Sequence, residues 1–398
     1  MSRSRDAVRV VIFGGGVCGL LVRNYLHSLG CSTLLLSKGP LGDGQTVGSQ
    51  GILHAGLKYA ADGASHEISR QLEVAQEFWS GCLSSGLPID LRSVRVLSPN
   101  THFWTAGNML DRAVGVAAAA VMKAGAKRLE RPAYPPIFAE APPSVGVWQV
   151  NEKVIDPVSL VQTLRDMPGG EIVVAADEPL VTVKAGDVEV RVGERIIRAE
   201  HAVFAAGAGN EALLKAGGVD PLQTCQRRPL HMLYASGVPA SLFAHCLQLS
   251  DKPRLTVTTG QGREGPVWYI GGDVAEKGVE RSTADQIEAG KAELAATLPW
   301  LDLSGLQWGT IRIDRAEGLV QTHAGGLKRP DGPVIKRHPG LSAIWPTKLA
   351  MAPFAATLAV AHVSETLGLD LGGVDGVPTV ANTHVPVAFA QWDRGGAC

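Results

Sequence analysis

Several features are missing from this chain of 398 residues, and each absence excludes a class of protein. Its six cysteines form no CxxC motif and no Cys/His spacing typical of a metal site, so we expect reduced thiols and no metal. Lysine and arginine total 37 against 38 acidic residues, which gives no electrostatic case for nucleic acid. No apolar run reaches the length of a membrane span, and no signal peptide is evident. We therefore predict a cytoplasmic protein without an integral membrane segment.

The remaining composition is that of a globular protein. Apolar residues make up 45% and charged residues 19% of the chain, and no large disordered arm is indicated. The length suggests two or three structural units or one large composite domain. No internal repeat stands out, so the organisation has to be inferred from local motifs.

The N-terminal sequence has the order strand, glycine turn, helix. The run RVVIF precedes GGGVCG, and a helical pattern follows. Gly14, Gly16 and Gly19 therefore match GxGxxG between a predicted strand and a predicted helix, the context in which the motif indicates a dinucleotide site. These glycines permit a tight turn, the approach of a pyrophosphate and close helix packing, respectively. The phosphate would then lie at the helix N-terminus, beside Val17 and Cys18. We predict a dinucleotide site; the alternative is a glycine-rich turn that binds nothing.

Two further segments are predicted to complete the nucleotide site. The second strand ends at Ser37 and Lys38, where an acidic residue usually binds the ribose; serine offers one hydroxyl instead. The turn AAGAG, which contains Ala206 and Gly207, follows a later apolar strand. A tight turn without a ligand is equally compatible with those letters.

The pattern along the chain predicts a mixed α/β protein with two interleaved units. A discontinuous Rossmann-like domain for the cofactor is expected over 1–95, 146–225 and 311–398. A substrate domain built on an antiparallel sheet is expected over 96–145 and 226–310.

The motifs together resemble a known family. GxGxxG, SQGILHAGLKYA, NEKVIDPVSLV, VFAAGAG and IWPTKLAMAP occur in the order found in FAD-dependent oxidoreductases of the D-amino-acid oxidase superfamily. The resemblance covers nearly the whole chain and implies FAD as the cofactor. HAGLKY and TKLAMAP are most similar to the FAD-dependent glycerol-3-phosphate dehydrogenase branch, with the L-2-hydroxyglutarate oxidases close behind. Thr347 stands where that branch has glycine.

The resemblance also implies which residues contact the flavin. The resemblance places the flavin ring between the cofactor unit and the substrate unit. One contacting segment runs along the ring and presents its backbone groups, and a second contacting segment precedes the final helix. The residues implied are Ser49, Gln50, Gly51, Trp345, Thr347, Lys348 and Leu349.

Polar side chains of the same segments are implied to act on the substrate. His54 is the candidate base for a hydroxyl proton, since histidine titrates near working pH. A structural histidine and a covalent histidyl link to the flavin are the alternatives. Lys58, Arg312 and Lys348 are expected to hold an anionic group. Weaker candidates are His231, a second-tier proton acceptor, Arg315 and His323.

We therefore expect an FAD-dependent oxidoreductase that oxidises a small anionic hydroxy compound, similar to glycerol 3-phosphate or a 2-hydroxy acid, by hydride transfer to flavin. An amine or amino-acid oxidase of the same fold is the main alternative. A flavin-containing partner-binding protein and an NAD-dependent dehydrogenase are further ones. The electron acceptor, whether oxygen, a quinone or a carrier protein, is left open by the sequence.

Overall fold

The computed structural model describes the larger part of the chain. The described residues are 7–54, 66–106, 125–175, 180–184, 187–221, 224–248, 252–322, 325–330, 332–369 and 377–394. Among their helices, none is both long enough and apolar enough to cross a membrane. The predicted Lys58 and His323 lie outside these ranges.

Helices occur throughout the described ranges. The α-helices are α1 (Val17–Ser28), α2 (His66–Ser84), α3 (Pro157–Asp166), α4 (Asn210–Ala216), α5 (Asp273–Lys277), α6 (Thr283–Thr297) and α7 (Ala352–Leu367). Short 3-10 helices cover Arg131–Ala133, Pro136–Phe138, Gly207–Gly209, Leu349–Met351 and Gln391–Asp393.

The strands form two large sheets and three small ones. The first half of the chain contains β1 (Val10–Phe13), β2 (Thr33–Ser37), β3 (Val96–Ser98), β4 (Thr101–Trp104), β5 (Lys127–Arg128), β6 (Val147–Val150), β7 (Val154–Ile155), β8 (Glu171–Val174), β9 (Leu180–Lys184), β10 (Asp187–Val192) and β11 (Arg195–Ala199). The second half contains β12 (His201–Phe204), β13 (Cys225–Ser236), β14 (Ala244–Cys246), β15 (Leu255–Gly262), β16 (Gly265–Gly271), β17 (Gln307–Gly318), β18 (Val320–Gln321), β19 (Leu327–Lys328), β20 (Val334–His338) and β21 (Leu341–Trp345).

A six-stranded sheet carries the glycine motif. Its order is β20-β21-β12-β1-β2-β8, and all neighbouring pairs are parallel except β20 with β21. Every residue of β1 and β2 is buried, as expected where both faces of a parallel sheet are covered. On one face the core includes apolar side chains of α1, α3 and α7, and on the other it includes those of β9 to β11. The predicted Rossmann-like arrangement is confirmed.

An eight-stranded sheet forms the second layer, in the order β17-β13-β16-β15-β14-β4-β6-β5. It is antiparallel except where β14 runs parallel to β4. The predicted mixed α/β fold with an antiparallel sheet is thus confirmed. The boundaries proposed from sequence cut this sheet, because position 311 falls inside β17 and β6 lies in the segment 146–225.

The segment that follows β2 connects the two sheets. The Gln50 amide donates to the carbonyl oxygens of Thr256 and Tyr269, both at 2.9 Å. The Tyr269 hydroxyl in turn donates to the Gly48 carbonyl at 2.9 Å. These bonds hold the segment against the antiparallel sheet at the carboxyl ends of the parallel strands, where α/β proteins bind ligands.

Candidate active site

A cavity of about 820 Å³ lies between the carboxyl ends of the parallel strands and the antiparallel sheet. This volume falls in the range of small-molecule and cofactor sites. Its lining includes the ends of β1, β2, β12 and β21 on one side and residues of β13 and β17 on the other. The cavity therefore adjoins both predicted units.

The glycine motif forms one end of this cavity. A Cβ atom on Gly14, whose φ is +111°, would lie 2.5 Å from the Ala205 carbonyl oxygen, so only glycine fits. Within 4 Å of a Cβ added to Gly16, the Thr46 hydroxyl oxygen is the one atom present in the described part of the chain, at a distance of 3.1 Å. The space around Gly16 is otherwise open. Gly16 caps α1 without a side-chain bond, and the first turn has no acidic residue. The Val17 N–H already donates to the Thr46 hydroxyl at 3.1 Å, so the bare backbone at Gly16 and the positive end of the helix dipole are what fit a pyrophosphate.

Three other residues predicted at the nucleotide lie on the cavity wall. The Ser37 hydroxyl donates to the Gly39 carbonyl at 2.8 Å, so its oxygen is left to accept a bond from a ribose. Lys38 is exposed there. Burial raises the pKa of the Cys18 thiol to about 12, so this residue contributes packing and not a thiolate.

The small-residue turn after β12 is held by a side chain that sequence reasoning missed. The Asn210 amide oxygen accepts from the Ala206 N–H at 2.8 Å, and its nitrogen donates to the Ile344 carbonyl at 3.2 Å. Gly207 has φ +58°, and a Cβ there would lie 3.0 Å from the Gln45 amide oxygen. Ala206 and Gly207 both line the cavity, as predicted for a second approach of backbone to the dinucleotide.

The segment Ser49–Gly51 lines the cavity mainly through its backbone. The Ser49 hydroxyl is bound to the Thr46 carbonyl at 2.8 Å, and the Gln50 amide is bound to the sheet. Gly51 has φ +71°, and a Cβ there would lie 2.0 Å from the Ile155 carbonyl oxygen. A side chain at this position would push the segment off its partner strand.

Trp345, Thr347, Lys348 and Leu349 also line the cavity. Thr347 has φ 61° and sits at the centre of a γ-turn, in which the Lys348 N–H donates to the Pro346 carbonyl at 2.7 Å. This turn is rare and strained for a β-branched residue. Lys348 is followed by the 3-10 turn Leu349–Met351, and the final α-helix begins only at Ala352. Lys348 therefore lies before the final α-helix and not in its first turn.

His54 lies at the substrate side of the cavity, and its side chain is 41% exposed. Its Nδ1 atom is 3.6 Å from Oε1 of Glu152, a carboxylate that is only 4% exposed. Backbone bonds set this approach, because the Leu53 N–H donates to the Lys153 carbonyl and the Ile155 N–H to the Gly51 carbonyl, both at 2.9 Å.

His231 and Arg312 are directly opposite each other on β13 and β17, on the face that points away from the cavity. The His231 ring bonds the Gly278 carbonyl at 3.0 Å, and burial lowers its pKa. The Arg312 guanidinium donates to the carbonyls of Val279 and Arg281. The structure therefore does not bring these two predicted residues to the site, since adjacent positions of a strand face opposite sides.

Arg315 is the cation that β17 contributes to the cavity lining. Its guanidinium is 3.3 Å from Glu276, which also lines the cavity. Burial alone would raise the pKa of Glu276. A hydrogen bond from Lys252 and the charges of Arg228 and Arg315 outweigh burial and lower this pKa to about 2. Glu317 pairs with Arg228 and Arg329, so in this cluster four cationic side chains share two carboxylates.

The comparisons with known proteins agree with this geometry. The model of the family described as FAD dependent oxidoreductase, DAO, matches residues 9–356. A probable FAD-dependent oxidoreductase of Pseudomonas aeruginosa is 37% identical over 361 residues, which cover 89% of this chain and 90% of the relative. Its crystal structure superposes with a TM-score of 0.79 and 33% identity, covering 98% of each chain. This chain belongs to the DAO family of FAD-dependent oxidoreductases.

More distant structures share the fold alone. Glycine oxidase of Geobacillus kaustophilus has a TM-score of 0.67 at 14% identity, over 94% of this chain and 100% of that one. The L-alpha-glycerophosphate oxidase of Mycoplasma pneumoniae, solved with FAD bound, has a TM-score of 0.65 at 14% identity. The match covers 96% of this chain and 99% of that one. The family match makes the protein an FAD-dependent enzyme. The cavity lining that fits FAD includes the glycine motif, Ser37, the Ala206–Gly207 turn and the Ser49–Gly51 segment.

Proposed function

We propose that this enzyme oxidises a small anionic hydroxy compound, of the glycerol-3-phosphate or 2-hydroxy-acid type. The observation that carries the proposal is that His54, Arg315 and Lys348 line the same cavity as the glycine motif. A base and two cations thus adjoin the expected position of the cofactor. FAD, when bound, would supply the electron sink for the hydride that leaves the substrate carbon.

The charges of the cavity support an anionic substrate. The three acids of the described residues that line the cavity, Asp43, Asp314 and Glu276, are each paired with an arginine, which reduces their repulsion of an anion. Arg315 Nε donates to the Arg228 carbonyl at 3.1 Å and Nη2 to Glu276 at 3.3 Å. A guanidinium has five N–H donors, so Arg315 can also donate to a carboxylate or phosphate, and Lys348 adds a second positive charge. Lys58, which lies outside the described residues, remains a sequence prediction for the same role.

His54 is the proposed base. Its ring is partly exposed and lines the cavity, so a substrate hydroxyl can reach it. The proton would pass from the hydroxyl oxygen to the imidazole as the carbon-bound hydrogen leaves with its electron pair, so a carbonyl product forms. This step requires the neutral form of the imidazole.

The lining carboxylates favour a hydroxyl over an amine. An ammonium group would need a carboxylate to receive it, but the acidic residues that line the described cavity are already paired. Asp43 pairs with Arg394, Asp314 with Arg227, and Glu276 with its three cations. An amine or amino-acid substrate is therefore the second candidate, since Arg315 could still hold its carboxylate.

Anaerobic mixing of the purified holoenzyme with a substrate panel tests the proposal. The panel pairs each anion with a neutral analogue, for example glycerol 3-phosphate with glycerol, and lactate with propane-1,2-diol. We expect an anionic member to bleach the flavin and its neutral partner to do so much more slowly. Bleaching by the neutral compounds at equal or higher rates would contradict the anion site.

The narrower assignments stay proposals. The glycerol-3-phosphate branch is favoured by the segments HAGLKY and TKLAMAP, and the electron acceptor is open among oxygen, quinone and carrier protein. A cytoplasmic location stays a prediction from the sequence, and the cysteines of the described residues form no disulfide with one another.

A further inference from the structure

Beside His54 lies a buried polar cluster for which the sequence alone predicts no role, although Glu152 belongs to the motif NEKVIDPVSLV. It consists of Glu152, His245, Thr101 and the inner edge of the His54 ring. The possible ligand atoms of His54, Glu152 and His245 all lie within 4.8 Å of one another. They come from three distant segments, namely the stretch that follows Gly51, the loop after β6 and strand β14.

Glu152 uses its two oxygens for different neighbours. Oε1 faces Nδ1 of His54 at 3.6 Å. Oε2 accepts from the Thr101 hydroxyl at 3.2 Å and lies 3.8 Å from Nε2 of His245. A buried carboxylate is costly unless donors surround it, so the Thr101 bond both stabilises it and sets its rotation.

His245 does not compete with His54 for the carboxylate charge. Burial, reinforced by the proximity of His54 and opposed by Glu152, lowers the pKa of His245 to about 4, so it is neutral near pH 7. Its Nδ1 bonds the Thr256 hydroxyl at 2.9 Å. Of the other nearby charges, Lys153 is bound to Ser80 at 3.0 Å.

We propose that Glu152 is a positioning residue for His54, holding the proton on Nδ1 so that Nε2 is the acceptor presented to the cavity. The 3.6 Å separation is longer than a hydrogen bond, as is common for catalytic contacts before the substrate binds. A carboxylate that accepts from Nδ1–H fixes both the tautomer and the orientation of the ring. This role rests on the proposed function only through His54 as the base, because the tautomer itself is independent of turnover.

The test compares the wild-type holoenzyme with Glu152→Gln and with a matched control, Glu194→Gln, an exposed residue in the turn between β10 and β11. Stopped-flow flavin reduction with the best substrate of the panel should slow at least about tenfold in Glu152→Gln, because loss of an orienting carboxylate costs up to ~10⁴-fold in rate. The half-saturating concentration should change by no more than roughly twofold, since binding is not the lost step.

Nitrogen-15 NMR of histidine-labelled protein supplies the readout that turnover does not. The wild type should show His54 as the Nδ1–H tautomer, identified by loss of its signals in His54→Asn, and Glu152→Gln should show the other tautomer gaining population. If Glu152→Gln does not fold, Thr101→Val replaces it as a milder change to the carboxylate's support, with the same shift expected to a smaller degree.

The outcomes separate the two proposals. If no panel compound reduces the wild-type flavin, the proposed function fails, while the tautomer measurement still decides the role of Glu152. If the wild type is reduced and Glu152→Gln keeps both its rate and its tautomer, the positioning role is overturned. It is also overturned if the purified protein holds stoichiometric zinc that Glu152→Gln lacks, because the cluster would then be a metal site.

Discussion

Replacement of Gly19 by alanine should disrupt the cofactor site more than its size suggests. The new Cβ would lie 1.9 Å from the Gly14 carbonyl oxygen, whereas ordinary contact begins at 3.4 Å, so α1 and β1 would have to separate by about 1.5 Å. One atom is a backbone oxygen and the other is a Cβ, whose position the backbone fixes. No change of rotamer can therefore relieve the overlap. Overpacking typically costs about 1 to 3 kcal/mol, and we expect the upper end here.

The consequence should be seen in FAD retention as well as in stability. Moving the start of α1 displaces the N–H groups and the bare backbone at Gly16 that fit the pyrophosphate. We expect Gly19→Ala to lose FAD on gel filtration and to bind added FAD at least about tenfold more weakly, corresponding to roughly 1.4 kcal/mol. Gly305→Ala is the matched control, since a Cβ there meets nothing within 4 Å. If Gly19→Ala keeps its FAD and has the same melting temperature as Gly305→Ala, the proposed pyrophosphate site at the glycine motif is wrong.

Three other substitutions test separate parts of the account. Lys348→Ala should raise the Michaelis constant for the active anion roughly 10- to 150-fold, since a charge-assisted bond contributes about 1.5 to 3 kcal/mol; an unchanged constant would remove Lys348 from the anion site. Thr347→Gly should raise the melting temperature by a few degrees, because a positive φ costs a non-glycine residue about 1 to 2 kcal/mol; an unchanged or lower melting temperature would contradict strain at this position. His201 is buried and its pKa is lowered to about 4, chiefly by burial, so the folded state binds fewer protons than the unfolded state. Stability should therefore fall as the pH drops from about 6.5 to 4, and His201→Gln should flatten this dependence in urea titrations; equal slopes would refute it.

The parts of the site predicted from sequence are those set by local chemistry. The glycines at 14, 16 and 19 could be assigned because strand, turn and helix are adjacent in the chain, and a positive φ or a missing Cβ is a property of one residue. The parallel order of the sheet follows from the same βαβ unit. The flavin segment Ser49–Gly51 was found through a resemblance, and its fit depends on Gly51.

The orientation of strand residues could not be read from the sequence. Arg312 and Arg315 stand in one strand on opposite faces, and the tertiary packing of the sheet against the rest of the protein decides which face meets the cavity. His231 was misplaced for the same reason, since its neighbours Leu230 and Met232 are the residues that line the cavity.

Long-range partners were also beyond a single sequence. Glu152 and His245 are separated from His54 by about a hundred residues or more, and Asn210 stabilises its turn through a carbonyl of β21. Neither a motif nor a periodicity links such positions. They become visible only when the strands are paired in register.

Matched pairs of hydroxy and amino compounds test the central claim most directly. The holoenzyme is mixed anaerobically with 2-hydroxyglutarate and glutamate, with lactate and alanine, and with glycerol 3-phosphate and 2-aminoethyl phosphate, while the flavin absorbance is followed. The account predicts rapid bleaching by at least one hydroxy member and little by its amino partner, with the rate lost in His54→Asn. Faster bleaching by an amino member, or a rate unchanged in His54→Asn, would contradict it.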